Sequence, residues 1–302
     1  MKKTLDIKSV CECNRRLGCK TLHPQASIIN LEHPDLEQEA VKFEFYAVLL
    51  IEECPDGCGC CGRKYYDYTN ATMVFLKPGE IFRMNEAGVL PDKGWLLAFH
   101  PDLLYRTSLK NHIRNYTFFS YAVNEALHLS DQERGIVMDC LEKISIELEH
   151  AIDKHSKALI AMNIELLLNY CMRFYERQFI TRSNANKDAL SQFEQLLEEY
   201  FQSQHPMQDG LPSVKYFADK VCLSPNYFGD MIKKETGRTP QEHIQEKVIE
   251  LAKEHITETD ETVSQIAYTL GFQYPQHLCR LFKRRVGCTP NEYRLQQGQL
   301  IQ

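Results

Sequence analysis

No stretch of this 302-residue chain is long and apolar enough for a membrane span, which needs about 20 such residues. Lys2 and Lys3 are not followed by an apolar run, so no signal peptide is expected. Cys11 follows Lys-Ser-Val, a poor context for lipid attachment. These absences make a cytoplasmic protein with no membrane partner the expectation. Catalytic signatures are missing too. There is no H-x-H pair of the kind that holds a metal with a carboxylate, no G-x-S-x-G, no phosphate-cradling glycine loop and no evident triad. An enzyme is not expected. Nor is there an excess of positive charge, the net value being −6. Residues 211–302 hold 12 Lys+Arg against 11 Asp+Glu, or +1, and the rest 23 against 30, or −7. Any polyanion must therefore be met by local clusters such as Arg280 to Arg285.

What the chain does have is an ordinary balance of 43% hydrophobic and 25% charged residues, and length enough for two cores. Short apolar or alternating runs at Ala26–Leu31, Val41–Ile51, Thr72–Leu76 and Gly94–Phe99 read as strands. Turn signals such as Pro55-Asp56-Gly57 and Pro78-Gly79-Glu80 separate them, as in a small antiparallel barrel or sandwich. After about Tyr116 the period changes. Ser130 and Glu133 form a capping box ahead of Val137, Leu141, Ile144 and Leu148. A second helix, from about Asp153 to Gln178, carries Ile160, Ile164, Leu167, Cys171 and Phe174 at 4-3-4-3 spacing. Two uses fit this stripe: a cover for the open side of the β domain, or a dimer seam. The polar segment around Thr181–Asp188 reads as a linker, and Leu190, Phe193, Leu196, Leu197 and Phe201 mark an amphipathic helix beyond it.

The most informative stretch is Thr262–Arg294. Thr262 and Gln265 cap a short helix with Val263, Ile266, Ala267 and Leu270 on one face. Gly271 permits a sharp turn, and Pro275 opens a second helix. There Leu278, Leu281 and Phe282 face inward, while Gln276, His277, Arg280, Lys283 and Arg284 face out. This is a helix-turn-helix. It has a copy upstream. Ser213, Val214, Phe217, Ala218 and Val221 match Thr262, Val263, Ile266, Ala267 and Leu270 at an offset of 49 residues, and Pro225, Phe228, Met231 and Ile232 match Pro275, Leu278, Leu281 and Phe282 at 50. A helix from Pro240 to about Ile256 joins the copies and would place two reading helices roughly 34 Å apart, in successive major-groove segments.

The C-terminal residues, through Ile266-Ala267, Gly271-Phe272, Leu281-Phe282-Lys283, Gly287, Thr289-Pro290 and Tyr293-Arg294, resemble the AraC/XylS transcription regulators. The N-terminal region looks like the cupin-type effector and dimerisation domain common in that family. The resemblance implies an α+β multidomain chain. Residues 1–118 would be a cupin-like β-barrel or sandwich sensor, with 119–180 a helical cover and dimerisation segment. Residues 181–190 would be a linker and 191–302 an all-α DNA-binding domain with two helix-turn-helix units. It implies sequence-specific binding of double-stranded DNA, an activator's contact with RNA polymerase, a small-molecule effector and a homodimer. Gln276, His277 and Arg280 would then read base edges, with Lys283 and Arg284 on phosphates. The corresponding first-unit residues are Ser224, Asn226, Tyr227, Asp230 and Lys233. Asp230 stands where the family often has a basic residue, which leaves base reading by this unit and a mainly structural role both open.

Twelve cysteines are many for a reducing compartment, and seven of them precede residue 62. Cys54, Cys58, Cys60 and Cys61 fall in a glycine-rich stretch that Cys11, Cys13 and Cys19 could approach. Thiolates so close suit zinc, copper(I) or a heavy metal, or an oxidant sensor, although the spacing is not that of a zinc ribbon. Reduced cysteines in a tolerant loop are the plainer reading, and no cofactor is expected. Joined to this DNA-binding domain, such a site also allows a DNA alkyl-transfer regulator, but the Pro-Cys-His motif of that class is missing. A cupin enzyme fused to the same domain lacks its metal triad. His23 and His100 each precede proline and read as turn residues.

Overall fold

The computed structural model describes residues 4–32, 40–52, 67, 71–83 and 93–300. They form two units, Met1–Arg182 and Ser183–Gln302.

In the first unit, strands β1 (Thr4–Ile7), β3 (Ala40–Phe43) and β6 (Glu80–Arg83) make a three-stranded sheet in the order β1-β3-β6. Strands β2 (Ala26–Asn30), β4 (Tyr46–Ile51), β5 (Ala71–Leu76), β7 (Gly94–Phe99) and β8 (Leu127–Leu129) make a five-stranded sheet in the order β2-β7-β4-β5-β8. All pairings are antiparallel except β1 with β3. The run Val41–Ile51, expected as one strand, divides at Glu44 and Phe45. Its first half pairs in one sheet and its second half in the other. Alternation along the strands then builds the core. Val41, Phe43 and Phe82 from the smaller sheet share a buried cluster with Ala47, Leu49, Val74, Leu76 and Leu96 from the larger. Helix α1 (Val10–Arg16), which sequence periodicity did not suggest, seals this layer with Val10 and Cys13.

The opposite face of the larger sheet is covered by helices. After α2 (Pro101–Leu104) and α3 (Leu109–His112) come α4 (Asp131–Glu149), with the expected Ser130–Glu133 capping box, and α5 (Ser156–Thr181). Cys171 of α5 lies 3.8 Å, sulfur to sulfur, from Met73 of β5, and Tyr175 lies with its ring centroid 6.1 Å from that of Phe75. The α5 stripe of Ile160, Ile164, Leu167, Cys171 and Phe174 is thus buried within this unit. It covers the sheet and is not available as a dimer seam. At the end of α5, Arg182 donates from Nε and Nη2 to the two oxygens of Asp67 at 2.9 and 2.6 Å, a buried bidentate ion pair.

The segment 181–190, expected as a linker, is helical. Helix α6 (Ser183–Gln202) starts one residue after α5 stops, with only Arg182 between them. Polarity misled here: Ser, Asn, Lys and Asp occupy the outer face of a helix whose inner face begins at Asn186 and continues to Phe193, Leu197 and Tyr200. Five short or medium helices follow: α7 (His205–Asp209), α8 (Val214–Lys220), α9 (Pro225–Thr236), α10 (Pro240–Glu258) and α11 (Val263–Thr269). The chain closes with α12 (Pro275–Val286) and α13 (Pro290–Leu300). No helix among the described residues is long and apolar enough to cross a membrane.

Two cores hold the second unit. In the first, the Phe193 ring stands edge-on to Phe217 at 5.1 Å, Phe228 at 5.3 Å and His243 at 5.8 Å, joining α6, α8, α9 and α10. In the second, Val248, Ala252 and Ile256 of α10 meet Ile266 and Ala267 of α11 and Leu278 and Phe282 of α12. Equivalent turns link each helix pair: Leu223 N–H donates to Ala218 O at 3.0 Å, and Phe272 N–H to Ala267 O at 2.9 Å. Both turns need a positive φ. Gly271 supplies it at 91°, whereas the first copy places Cys222 there at 57°. Gly271 has a second constraint, since a Cβ would lie 2.8 Å from both the Gly210 carbonyl carbon and the Pro206 oxygen.

Two outcomes follow from this packing. Phe193→Ala should destabilise the second unit by about 3–5 kcal/mol, read as an early urea transition of the full chain; an unmoved transition would remove α6 from this core. Gly271→Ala should cost about 2 kcal/mol or more through strain and overlap, while Cys222→Gly should stay within about 1 kcal/mol of the parent. Equal thermal shifts for the two variants would contradict the account of the turns.

Candidate nucleic-acid interface

Helix α12 is built to be held from one side. Gly287, at φ 94°, stops it, and its N–H donates to Lys283 O at 2.9 Å. Leu278 and Phe282, four residues apart, are fully buried, and the Tyr293 ring packs on Phe282 with centroids 5.5 Å apart. Arg294 donates from Nε to Ile256 O at 3.0 Å, satisfying a carbonyl in the last turn of α10. With that side anchored, Gln276, His277, Arg280, Lys283 and Arg284 are all exposed. Gln276 and His277 lie in the first turn, the part of a recognition helix that reaches base edges. The ring of Tyr274, itself exposed, stands edge-on to His277 with centroids 5.7 Å apart. The Nη2 atoms of Arg284 and Arg285 approach Gln245 Oε1 of α10 at 3.3 and 2.9 Å, which draws Arg284 toward the connecting helix.

Helix α9 repeats the frame with different contents. Its cap Ser224 accepts from Tyr227 N–H at 3.3 Å, and Gly237 ends it at φ 76°. Asn226 and Lys233 are exposed and Asp230 is half-buried. Tyr227, the counterpart of His277, is 3% exposed. This corrects the expectation that it reaches out to a ligand: a large ring beside Phe228 gains more from burial than from solvent. Ser224 has a local duty as a cap.

The connecting helix α10 starts with a reciprocal box, in which Thr239 N–H donates to Glu242 Oε2 at 2.8 Å and Glu242 N–H to Thr239 Oγ1 at 3.3 Å. That backbone donor holds the Glu242 carboxyl below the usual carboxylate range. Glu292 is lowered in the same way by the backbone N–H of Thr289 at the start of α13. Pro206, in the first turn of α7, and Gly210, which ends that helix, support the Gly271 turn and were not evident from the sequence. Their only signal was a polar break, Ser203–Pro212, that read as connection.

The metal candidates Cys54, Cys58, Cys60 and Cys61 lie outside the described residues. The cysteines expected to approach them are described. Burial pushes the Cys13 thiol up to about 12 and raises that of Cys19, while exposed Cys11 points its sulfur at Pro24 O, 3.9 Å away. A buried protonated thiol is a poor thiolate ligand. Among the described residues, no group of three His, Cys, Asp or Glu side chains is placed to hold a metal. His23 and His100 serve turns, accepting at Nδ1 from Gln25 N–H at 3.1 Å and Asp102 N–H at 3.2 Å.

Comparison with known proteins places one family match within this second unit. Residues 217–296 match a family model described as a helix-turn-helix domain. The transcriptional activator RhaS of Citrobacter koseri is 27% identical over 163 residues, covering 54% of this chain and 56% of that protein. The regulator YobQ of Bacillus subtilis is 33% identical over 82 residues, covering 27% of this chain and 34% of its own length. The chain thus spans about half or less of these relatives. Among solved structures, the C-terminal domain of the response regulator yesN from Fusobacterium nucleatum is 27% identical, with a TM-score of 0.32 over 35% of this chain and 98% of that one. An AraC-type regulator from Chromobacterium violaceum is 22% identical, with a TM-score of 0.33 over 38% and 97%. With two capped helix-turn-helix units in tandem, the second unit carries the match to a helix-turn-helix domain at residues 217–296, and the chain is similar over part of its length to helix-turn-helix transcriptional regulators.

Proposed function

We propose that the chain controls transcription by reading DNA sequence chiefly through α12. The observation that carries this is the division of that helix: Leu278 and Phe282 are fully buried, and Gln276, His277, Arg280 and Lys283 are exposed together. Gln276 offers the paired donor and acceptor that suit adenine, and Arg280 the fork that suits guanine. His277 lies beside them. Lys283 and Arg284 face phosphates, which position the protein without specifying sequence. In the first unit, Asn226 and Lys233 are the accessible contacts, and half-buried Asp230 repels phosphate, so α9 sets register more than it reads bases. The 19 residues of α10 span about 28 Å, short of but close to one turn of DNA.

The first unit is read as the cupin-like effector domain, and the whole as an activator that meets RNA polymerase. A two-sheet sandwich closed by helices supports the first part. The homodimer reading moves to another face of α5, where Leu159, Met162 and Leu166 are exposed at 41%, 61% and 39%.

The test starts from an operator selected out of random duplexes. Arg280→Ala should weaken binding to it by about 1–3 kcal/mol and relax preference at one base pair. Lys283→Ala should weaken all sequences alike and lower the salt slope by about one. Footprinting titrations at several salt concentrations read both effects. Unchanged affinity in Arg280→Ala would remove that residue from the interface.

A further inference from the structure

A cavity of about 410 Å³ lies where the turn after α2 meets the start of α5, lined by Tyr105, Arg106, Thr107, Lys154, Lys157 and Ala158. Half of these lining residues are cations, and no carboxylate is among them. Lys110 brings a fourth positive charge, its Nζ 4.6 Å from the centroid of the Tyr105 ring, with the Arg106 guanidinium 5.4 Å from that centroid. Such a grouping repels itself unless an anion joins it, and none of the four cations is ion-paired with a carboxylate among the described residues.

The neighbouring acids are engaged elsewhere. Asp153 Oδ1 accepts from the N–H groups of His155 and Ser156 at 2.7 and 2.9 Å, and Glu165 is bonded to Ser108 and His112 at 2.5 Å each. Lys157 gives one proton to Asp102 O at 2.7 Å and keeps two. The Thr107 hydroxyl donates to Leu104 O at 2.7 Å, so its proton is not available to a ligand. Arg106 has φ 62°, a left-handed backbone that a side chain strains against. The turn is thereby held in a form that places a guanidinium at the cavity's edge.

We propose that this cavity binds a phosphorylated small molecule. The fork of Arg106 matches phosphate oxygens, and Lys154 and Lys157 supply point charge. Tyr105, 55% exposed, offers a ring face to the organic part of the ligand. The volume suits a small molecule, and a concave site on the turn favours that over the extended backbone of a nucleic acid. The proposal is independent of DNA reading, because its measurement contains no operator.

Calorimetric titration of the full chain with inorganic phosphate, a hexose 6-phosphate and the plain hexose tests it. The ester should bind more tightly than inorganic phosphate, and the plain hexose should give no heat. Arg106→Gly removes the guanidinium while suiting the positive φ, so it should melt no lower than the parent yet bind the ester at least about tenfold more weakly. Lys154→Gln should weaken the ester similarly, whereas Lys143→Gln, on the exposed face of α4, should not. Absence of heat from both phosphates at millimolar concentration overturns the proposal. So does inorganic phosphate binding more tightly than the ester, or equal ester affinity in Arg106→Gly. Loss of duplex-DNA binding in Arg106→Gly would instead assign these cations to a nucleic-acid backbone.

Discussion

A seven-residue helix does not hold itself together in water, because the cost of nucleating it exceeds what so few hydrogen bonds return. Both helix-turn-helix units open with one, α8 and α11, seven residues each. Their existence depends on what they bury against. For α8 the partner is the Phe193 cluster, and for α11 it is the apolar face of α10. Everything exposed on α9 and α12 is oriented by these buried contacts, so the surface proposed to meet DNA is set from behind. A polar change on the outer face alters recognition. A change on the inner face alters whether there is a helix to recognise with.

The same logic explains which parts of the chain could be read in advance. Caps and boxes obey local rules, and Ser130 with Glu133 and Thr262 with Gln265 form reciprocal bonds in the structure. The repeat was legible because glycine, proline and the buried aliphatic positions recur at nearly constant spacing. Features that depend on distant partners were not legible. The fate of Val41–Ile51 turned on two sheets competing for one strand run. In the helical segment 183–190, buried Asn186 donates to Glu235 Oε1 at 3.2 Å, a partner 49 residues away. Strand β1 is short, and only its register with β3 reveals it, whereas α1 had a local signal in Ser9, whose Oγ accepts from Glu12 N–H at 3.1 Å.

At the interface, analogy between the copies was sound for backbone and weaker for side chains. His277 is exposed and Tyr227 is buried at equivalent positions, because a tyrosine ring can fill a gap that an imidazole leaves to solvent. The first unit has fewer exposed polar groups on its second helix for that reason, and the asymmetry of the two copies follows from packing as well as from the acidic Asp230.

The rigid α10 gives the pair of units a phase relationship. Each residue added to an α-helix advances whatever follows by about 1.5 Å and turns it by about 100°. One insertion within Pro240–Glu258 would turn α12 out of its alignment with α9, and only a whole number of turns would bring it near alignment again. Between the two copies, the change of repeat offset from 49 to 50 falls in a turn and leaves the helices intact. The connecting helix acts as a phase gauge that fixes how α12 is turned relative to α9.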